Sequence, residues 1–280
     1  MNMKTKGFLN LVLTGILLFL LGISLPAQDI PSPEEFFDFK MGTDGKIAGW
    51  QKIVEYFYAL DERSDRVIVK TLGESTLGNP FILAVFSDPE NLKDIDKYRK
   101  ISKKLADPRG LSQQEIDKLT KEGKYISAQT YSLHATEIGE TQCTPELAYD
   151  LVTNHDPVTK LILENTIFLM FPCFNPDGLI MVNEWYYQYK DTVFDYTRLP
   201  YLYHFYTGHD DNRDSYQLTQ KESRHFAKVV YRDWLPQSYV DHHHFGSFGA
   251  RFYIPPYRDP IHGNVDPLIW REHQLLLNSK

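Results

Sequence analysis

The chain has 280 residues, of which 42% are hydrophobic, 14% aromatic and 24% charged. These proportions match soluble globular domains, and they exclude a disordered chain, a collagen-like repeat and a multi-span membrane protein. The net charge of −7 argues against non-specific nucleic-acid binding, which depends on clustered basic residues. With only Cys143 and Cys173, the chain is not a disulfide-stapled scaffold, and two free, buried thiols are favoured over a pair.

Residues 1–27 have the layout of a secretory signal peptide. Two lysines precede an apolar run at residues 11–23, and small residues up to Ala27 separate this run from a polar stretch, so cleavage is expected after Ala27. The run is shorter than the roughly 18 to 20 residues that cross a bilayer as a helix. We therefore predict a secreted or periplasmic protein without a membrane span after cleavage; the alternative is an uncleaved N-terminal anchor.

Beyond a lead-in at residues 28–48, segments with helical spacing of apolar residues alternate with short apolar runs typical of strands. This order favours a single α/β domain at residues 49–280, with a mixed, mostly parallel sheet and helices on both faces. The predicted strands lie at 66–72, 81–86, 125–133, 166–171 and 239–243. The predicted helices lie at 49–60, 91–106 and 112–122. A fourth predicted helix has Thr144 as its N-terminal cap and Pro145 at its first position, and it ends near residue 154.

His134 ends the third predicted strand, and Glu137 follows three positions later. Residues three apart in a turn or helix start face the same way, so the imidazole and the carboxylate can converge on one ion. The carboxyl ends of strands are also where ligands bind in open α/β sheets. Taken alone, the pair is a weak signal, and a solvated turn that binds no metal is the favoured interpretation.

A second polar cluster, Asp241 to His244, ends the last predicted strand. Alternation puts Asp241 and His243 on one face and His242 and His244 on the other, so either His243 alone or the other two histidines could bind a metal. One distant histidine added to His134 and Glu137 leaves the fourth position of a tetrahedral zinc ion open, as in catalytic zinc sites.

Residues 208–214 place Arg213 and Asn212 among aspartates. The guanidinium fork of Arg213, with Asn212 beside it, can bind a substrate carboxylate through paired hydrogen bonds. The alternative is a structural role, in which Arg213 is buried and forms ion pairs with the neighbouring aspartates. The turn-forming residues at 174–178 are expected to form a loop that shapes the site.

Four motifs occur in the order His134-Ala-Thr-Glu137, Asn175-Pro-Asp-Gly178, Asp210-Asp-Asn-Arg213 and Asp241-His-His243. In this order they resemble the motifs of the zinc carboxypeptidases of the carboxypeptidase A type. Residues 251–257, which follow the last motif, resemble the large secreted bacterial members of that family. The resemblance extends from residue 49 to the C-terminus, and it implies an α/β/α sandwich that acts on peptide or protein substrates.

The resemblance also implies roles for individual residues. One Zn²⁺ per chain would bind His134, Glu137 and His243, with the other histidines of the cluster in supporting roles. Asn212 and Arg213 would bind the terminal carboxylate of a peptide. Asp210 and Asp241 would orient ligand histidines through the ring nitrogen that does not bind the metal.

Two elements of the family pattern lack a secure match. The general-base glutamate lies well downstream of the third ligand, where this chain offers only Glu272 in a predicted surface helix, so no catalytic base is assigned. A second arginine, which polarises the scissile carbonyl, is matched only weakly by Arg198. We therefore expect a C-terminally truncated chain with an incomplete sheet.

The sequence thus predicts a metallocarboxypeptidase that hydrolyses C-terminal peptide bonds with a zinc-activated water, inactive in this chain if the base is missing. Two alternatives remain: a non-catalytic fragment that binds zinc and peptide, and a related amidase that acts on cell-wall peptides. Comparing peptides that end in an acid with peptides that end in an amide would separate the carboxypeptidase from the amidase.

Overall fold

The computed structural model describes residues 29–195, 197–200, 211–244 and 263–278. The strands are β1 (Val67–Glu74), β2 (Pro80–Phe86), β3 (Tyr125–Thr130), β4 (Thr166–Phe171) and β5 (Ser238–Asp241). The helices are α1 (Pro33–Phe37), α2 (Trp50–Arg63), α3 (Pro89–Lys93), α4 (Ile95–Ala106), α5 (Gln113–Glu122), α6 (Gly139–Thr153), α7 (Pro157–Asn165), α8 (Pro176–Tyr189), α9 (Lys221–Lys228) and α10 (Pro267–Asn278). A 3₁₀ turn (Asp211–Arg213) and a π-helix (Val229–Trp234) complete the described elements.

The five strands form one mixed sheet in the order β1-β2-β4-β3-β5. The hairpin of β1 and β2 is antiparallel, as is the pairing of β2 with β4, whereas β3 runs parallel to both β4 and β5. The predicted mixed α/β class is therefore confirmed, but the described part of the sheet is not mostly parallel, because two of its four strand pairings are antiparallel. The register pairs Thr130 with Asp241, so the carboxyl ends of β3 and β5 lie side by side.

Both faces of the sheet are covered by apolar packing. On one face, Trp50 and Phe57 of α2 are fully buried in a cluster that also includes residues of α6, α7 and α8. On the other face, Phe226 of α9 and Trp234 of the π-helix pack with residues from the opposite sides of the strands. The expectation of helices on both faces is confirmed.

The start of helix α6 differs from the prediction. The helix begins at Gly139, and Pro145 lies inside it instead of opening it. Pro145 lacks the N–H that would bind the carbonyl of Thr141, but the hydroxyl of Thr144 donates to that carbonyl at 2.8 Å. The helix therefore continues through the proline, and Thr144 is not its N-terminal cap.

The predicted loop at 174–178 is also different, because most of it is the first turn of α8. The side-chain oxygen of Asn175 caps this helix by accepting the N–H of Gly178 at 2.8 Å. The buried carboxylate of Asp177 accepts hydrogen bonds from the hydroxyl of Ser75, from the backbone N–H of Leu77 at 2.8 Å and from the amide of Asn79 at 2.8 Å. Asp177 thus anchors α8 to the β1–β2 turn.

Three further expectations concern the cysteines, the predicted leader and a membrane span. Both cysteines are free, as favoured, but Cys143 is exposed and only Cys173 is buried; burial raises the pKa of the Cys173 thiol to about 12. The predicted leader at residues 1–27 lies outside the described residues. Within the described ranges, each helix is too short or too polar to cross a lipid bilayer.

Candidate metal centre

The candidate centre lies where β3 and β5 end. After β3 the chain turns at Ser132, a buried residue in the left-handed region with φ of 47°, and reaches His134. A turn closed by the N–H of Glu137 to the carbonyl of His134 at 2.9 Å then brings both side chains to the same side. Beyond β5, the backbone N–H of His242 bonds to Thr130 at 3.1 Å, which continues the parallel register toward His243.

The side chains of His134, Glu137 and His243 converge. Nδ1 of His134 lies 3.2 Å from one carboxylate oxygen of Glu137, and Nδ1 of His243 lies 2.9 Å from the other. One potential ligand atom from each residue lies within 4.8 Å of the other two. Two imidazole nitrogens and a carboxylate oxygen are a donor set that suits zinc and leaves a coordination position open, so these residues fit the metal that the sequence suggested.

The neighbouring histidines do not join this group. The ring of His242 stacks on Tyr131 with centroids 4.4 Å apart, and its Nε2 lies 2.9 Å from the side-chain oxygen of Gln129. His244 points to the other side of the turn, with Nε2 4.0 Å from Glu140. Of the two arrangements left open by strand alternation, the structure therefore favours His243 alone.

Asp241 contacts the far side of His243. Its Oδ2 lies 2.7 Å from Nε2 of His243, and its Oδ1 accepts the hydroxyl of Thr130 at 2.6 Å. A carboxylate at one ring nitrogen keeps a proton there and directs the other nitrogen toward a metal. Asp210, the other residue predicted for such a role, lies outside the described residues.

The charges of the centre are strongly coupled. Burial opposes ionisation of Glu137, but hydrogen bonds from His134 and His243 outweigh it and lower the pKa of Glu137 to about 2. Hydrogen bonds to Asp241 and then to Glu137 raise the pKa of His243 to about 10. A metal ion bound by Nδ1 of His243 would have to displace a proton from this nitrogen.

Asn212 and Arg213 lie beside the centre on the 3₁₀ turn. Nδ2 of Asn212 is 3.4 Å from Nε2 of His243. Arg213 is exposed and donates only to the carbonyl of Asn212, at 3.3 Å, among the described residues. The alternative of a buried arginine that forms structural ion pairs is therefore wrong, because Arg213 is exposed to solvent.

Buried polar contacts that the sequence analysis missed fix this turn. The carboxylate of Asp211 accepts the amide of Asn175 at 2.7 Å and the amide of Gln220 at 3.0 Å. Asp214 accepts the backbone N–H groups of Thr219 and Gln220, each at 3.1 Å. The turn that carries Asn212 is thus tied to the N-terminus of α8 and to the segment that enters α9.

The contacts of Asp214 give a pH-dependent prediction. Burial raises its pKa, but hydrogen bonds from Ser223, Thr219 and Gln220 prevail and lower it from 3.8 to about 2. Since the folded pKa lies below the unfolded one, Asp214 stabilises the fold above about pH 4, and this contribution, about 2 kcal/mol, is lost as the pH falls through about 2. Asp214→Asn should therefore lower the unfolding free energy in urea at pH 7, and the gap to wild type should narrow toward pH 3. A gap that does not depend on pH would contradict this assignment.

A cavity of about 990 Å³ lies beside the turn that carries Glu137. Thr136 and Ile138, on either side of Glu137, form part of its wall, and Trp185 and Arg198 are also among its lining residues. Arg198, predicted weakly as a carbonyl-polarising residue, is exposed in this wall. The aromatic lining at the end of α8 was missed, because that helix was not predicted.

Glu140 is a further residue that sequence reasoning missed. It is 6% exposed, and one of its carboxyl oxygens accepts the N–H of Ser132 at 2.7 Å. Burial raises its pKa to about 8, an effect that the hydrogen bond from Ser132 opposes and the negative charge of Glu137 reinforces. Only its position three residues after Glu137 could have drawn attention to it.

The model of the zinc carboxypeptidase family, Peptidase_M14, matches residues 53–251. Similar solved structures include carboxypeptidase A from Helicoverpa armigera (15% identity, 72% of this chain and 47% of that chain, TM-score 0.46). A metallo-carboxypeptidase from Burkholderia cenocepacia is also similar (14% identity, 71% of this chain and 42% of that chain, TM-score 0.47). So is a metallo-carboxypeptidase from Pseudomonas aeruginosa (15% identity, 70% of this chain and 38% of that chain, TM-score 0.41). The chain covers less than half the length of each, and no curated protein sequence matches it.

Proposed function

This chain belongs to the zinc carboxypeptidase family, and we propose that it is the zinc-binding part of a secreted or periplasmic metallocarboxypeptidase that removes C-terminal residues from peptides. The observation that carries the proposal is the convergence of His134, Glu137 and His243, with ligand atoms within 4.8 Å of one another. A zinc ion bound there would supply the Lewis acidity that activates water for peptide hydrolysis.

The residues of the chain have separate tasks in this proposal. His134 and Glu137, from one turn, and His243, from the end of β5, hold the metal. Asp241 accepts a hydrogen bond from Nε2 of His243, which keeps Nδ1 directed at the metal. A general base is not assigned to any described residue.

Substrate recognition is proposed for Arg213 and Asn212. The exposed guanidinium of Arg213 lies next to Asn212, whose amide is 3.4 Å from the proposed ligand His243, so a terminal carboxylate bound here would bring the last peptide bond close to the metal. Because binding fixes the reacting groups in place, this geometry lowers the entropic part of the barrier.

The zinc-loaded chain should distinguish a peptide that ends in a free carboxylate from the same peptide ending in an amide. Arg213→Ala should weaken binding of the acid peptide by about tenfold, since a charge-assisted contact at an exposed site contributes about 1.4 kcal/mol, and should leave the amide peptide unaffected. Isothermal titration calorimetry with both peptides measures this.

Arg109→Ala is the matched control, because Arg109 is exposed and pairs with Asp107 in a loop outside the centre. If wild type binds acid and amide peptides equally, recognition of a terminal carboxylate is wrong and an amidase that acts within peptides becomes the better assignment. If dialysed protein holds no zinc, the metal assignment itself fails.

A further inference from the structure

The turn that carries His134 and Glu137 depends on Ser132. This residue adopts a left-handed conformation, which costs energy for a residue with a side chain, and it is fully buried. Its hydroxyl donates to the carbonyl of Glu137 at 3.1 Å and accepts the N–H of Thr141 at 3.1 Å. The position of both proposed ligands therefore follows from how Ser132 is held.

Glu140 supplies the contact that holds the backbone of Ser132. Its Oε2 accepts the Ser132 N–H at 2.7 Å, while its Oε1 is buried and has no hydrogen-bond partner among the described residues. A buried polar atom without a partner is costly. A basic group, Nε2 of His244, lies 4.0 Å from this Oε1, on the segment that carries His243.

Gly139 allows His244 to approach. A Cβ at this position would lie 2.9 Å from Cε1 and 3.0 Å from Nε2 of the His244 ring, closer than such atoms pack. Only a residue without a side chain therefore leaves room for the imidazole next to Glu140. Gly139 and the buried carboxyl group of Glu140 therefore lie together at the start of α6, next to both segments that carry proposed ligands.

We propose that Glu140 is a positioning residue for the metal centre, whose carboxyl group joins the turn of His134 and Glu137, through Ser132, to the segment of His243, through His244. The inference rests on the proposed function in that the centre binds zinc. It assigns Glu140 no contact with the metal or the substrate. Its role is to set the distance between ligands that lie about a hundred positions apart in the sequence.

The test measures zinc affinity by competition with a chromophoric chelator, in parallel with unfolding in urea. Glu140→Ala should weaken zinc binding by about 10- to 100-fold, the usual effect of removing a group that supports a metal ligand. Glu140→Gln should stay within about threefold of wild type, because its amide oxygen accepts the Ser132 N–H and its NH₂ group can donate to His244. Glu146→Ala, an exposed glutamate on the same helix, is the matched control and should bind zinc as wild type does.

Gly139→Ala provides a second variant that removes no contact of Ser132. Its methyl group should displace the His244 ring and weaken zinc binding by about three- to tenfold, and the absorption spectrum of the cobalt-loaded protein should change because the ligand geometry changes. Wild-type affinity in both Glu140→Ala and Gly139→Ala would overturn the inference and leave the zinc centre intact. Equal losses in Glu140→Gln and Glu140→Ala would also overturn it, because the hydrogen bond to Ser132 and the contact with His244 would then not be responsible. Absence of zinc from the wild-type protein would instead refute the proposed function.

Discussion

Glu137→Ala is expected to abolish zinc retention at micromolar concentrations of free metal. Glu137 bridges the two histidines, with oxygens 3.2 Å from His134 and 2.9 Å from His243, so its loss removes a ligand and leaves two imidazoles without their common partner. If three protein ligands share a binding energy of about 10 kcal/mol, each contributes about 3 kcal/mol, and the Kd should rise by about 100-fold or more. Metal analysis after dialysis and chelator competition measure both quantities.

The matched control for the two histidine variants is a histidine that lies outside the centre. His155→Ala removes a histidine whose Nδ1 contacts Arg66 at the far end of α6, and it should retain one zinc per chain. His134→Ala and His243→Ala should resemble Glu137→Ala. Retention of stoichiometric zinc by Glu137→Ala, with loss in a variant of His242 or His244, would show that the other pair of histidines binds the metal.

Asp177→Ala is expected to lower the unfolding free energy by about 3 to 4 kcal/mol, since hydrogen bonds to a buried carboxylate are strong and its removal leaves their donors unpaired. The donors are Ser75, the backbone of Leu77 and Asn79, which all belong to the β1–β2 turn. The loss should therefore detach this turn from the start of α8. Urea denaturation monitored by tryptophan fluorescence measures the change.

Asp117→Ala is the control for this variant, because Asp117 bonds to Gln113 on the exposed surface of α5 and should change stability by less than about 0.5 kcal/mol. The zinc affinity of folded Asp177→Ala should equal that of wild type, as Asp177 contacts none of the proposed ligands among the described residues. A selective loss of zinc affinity without loss of stability would mean that Asp177 acts on the centre and not on the fold.

Local patterns brought the residues of the candidate centre together on paper better than they predicted the helix boundaries around it. The spacing of His134 and Glu137 aligns two side chains in a turn, but a metal was suggested only when the histidine cluster after the last predicted strand was added to this pair. The choice among His242, His243 and His244 could not be made from alternation alone. It depends on the register of β5 against β3, a contact across more than a hundred positions that pairs Asp241 with Thr130.

The missed features share a physical cause: in each, a side chain forms a hydrogen bond with a backbone group. Helix α6 continues through Pro145 because the hydroxyl of Thr144 satisfies the carbonyl that proline leaves unpaired. Asn175 starts a helix instead of a loop because its side chain caps the third residue after it. Glu140 is buried because its carboxylate accepts the backbone N–H of Ser132, eight positions earlier in the chain. None of these partnerships is visible in hydrophobic periodicity.

The brevity of β5 has a kinetic consequence for metal exchange. This strand contains four residues and leads to His243, the third proposed ligand, so local opening of the strand would detach this residue from a bound zinc before the rest of the sheet opens. Release of the ion should then proceed at the opening rate of a single short strand. A substitution that strengthens the pairing of Ser127 with Ser238 would lengthen the residence time of the ion while leaving its coordination unchanged.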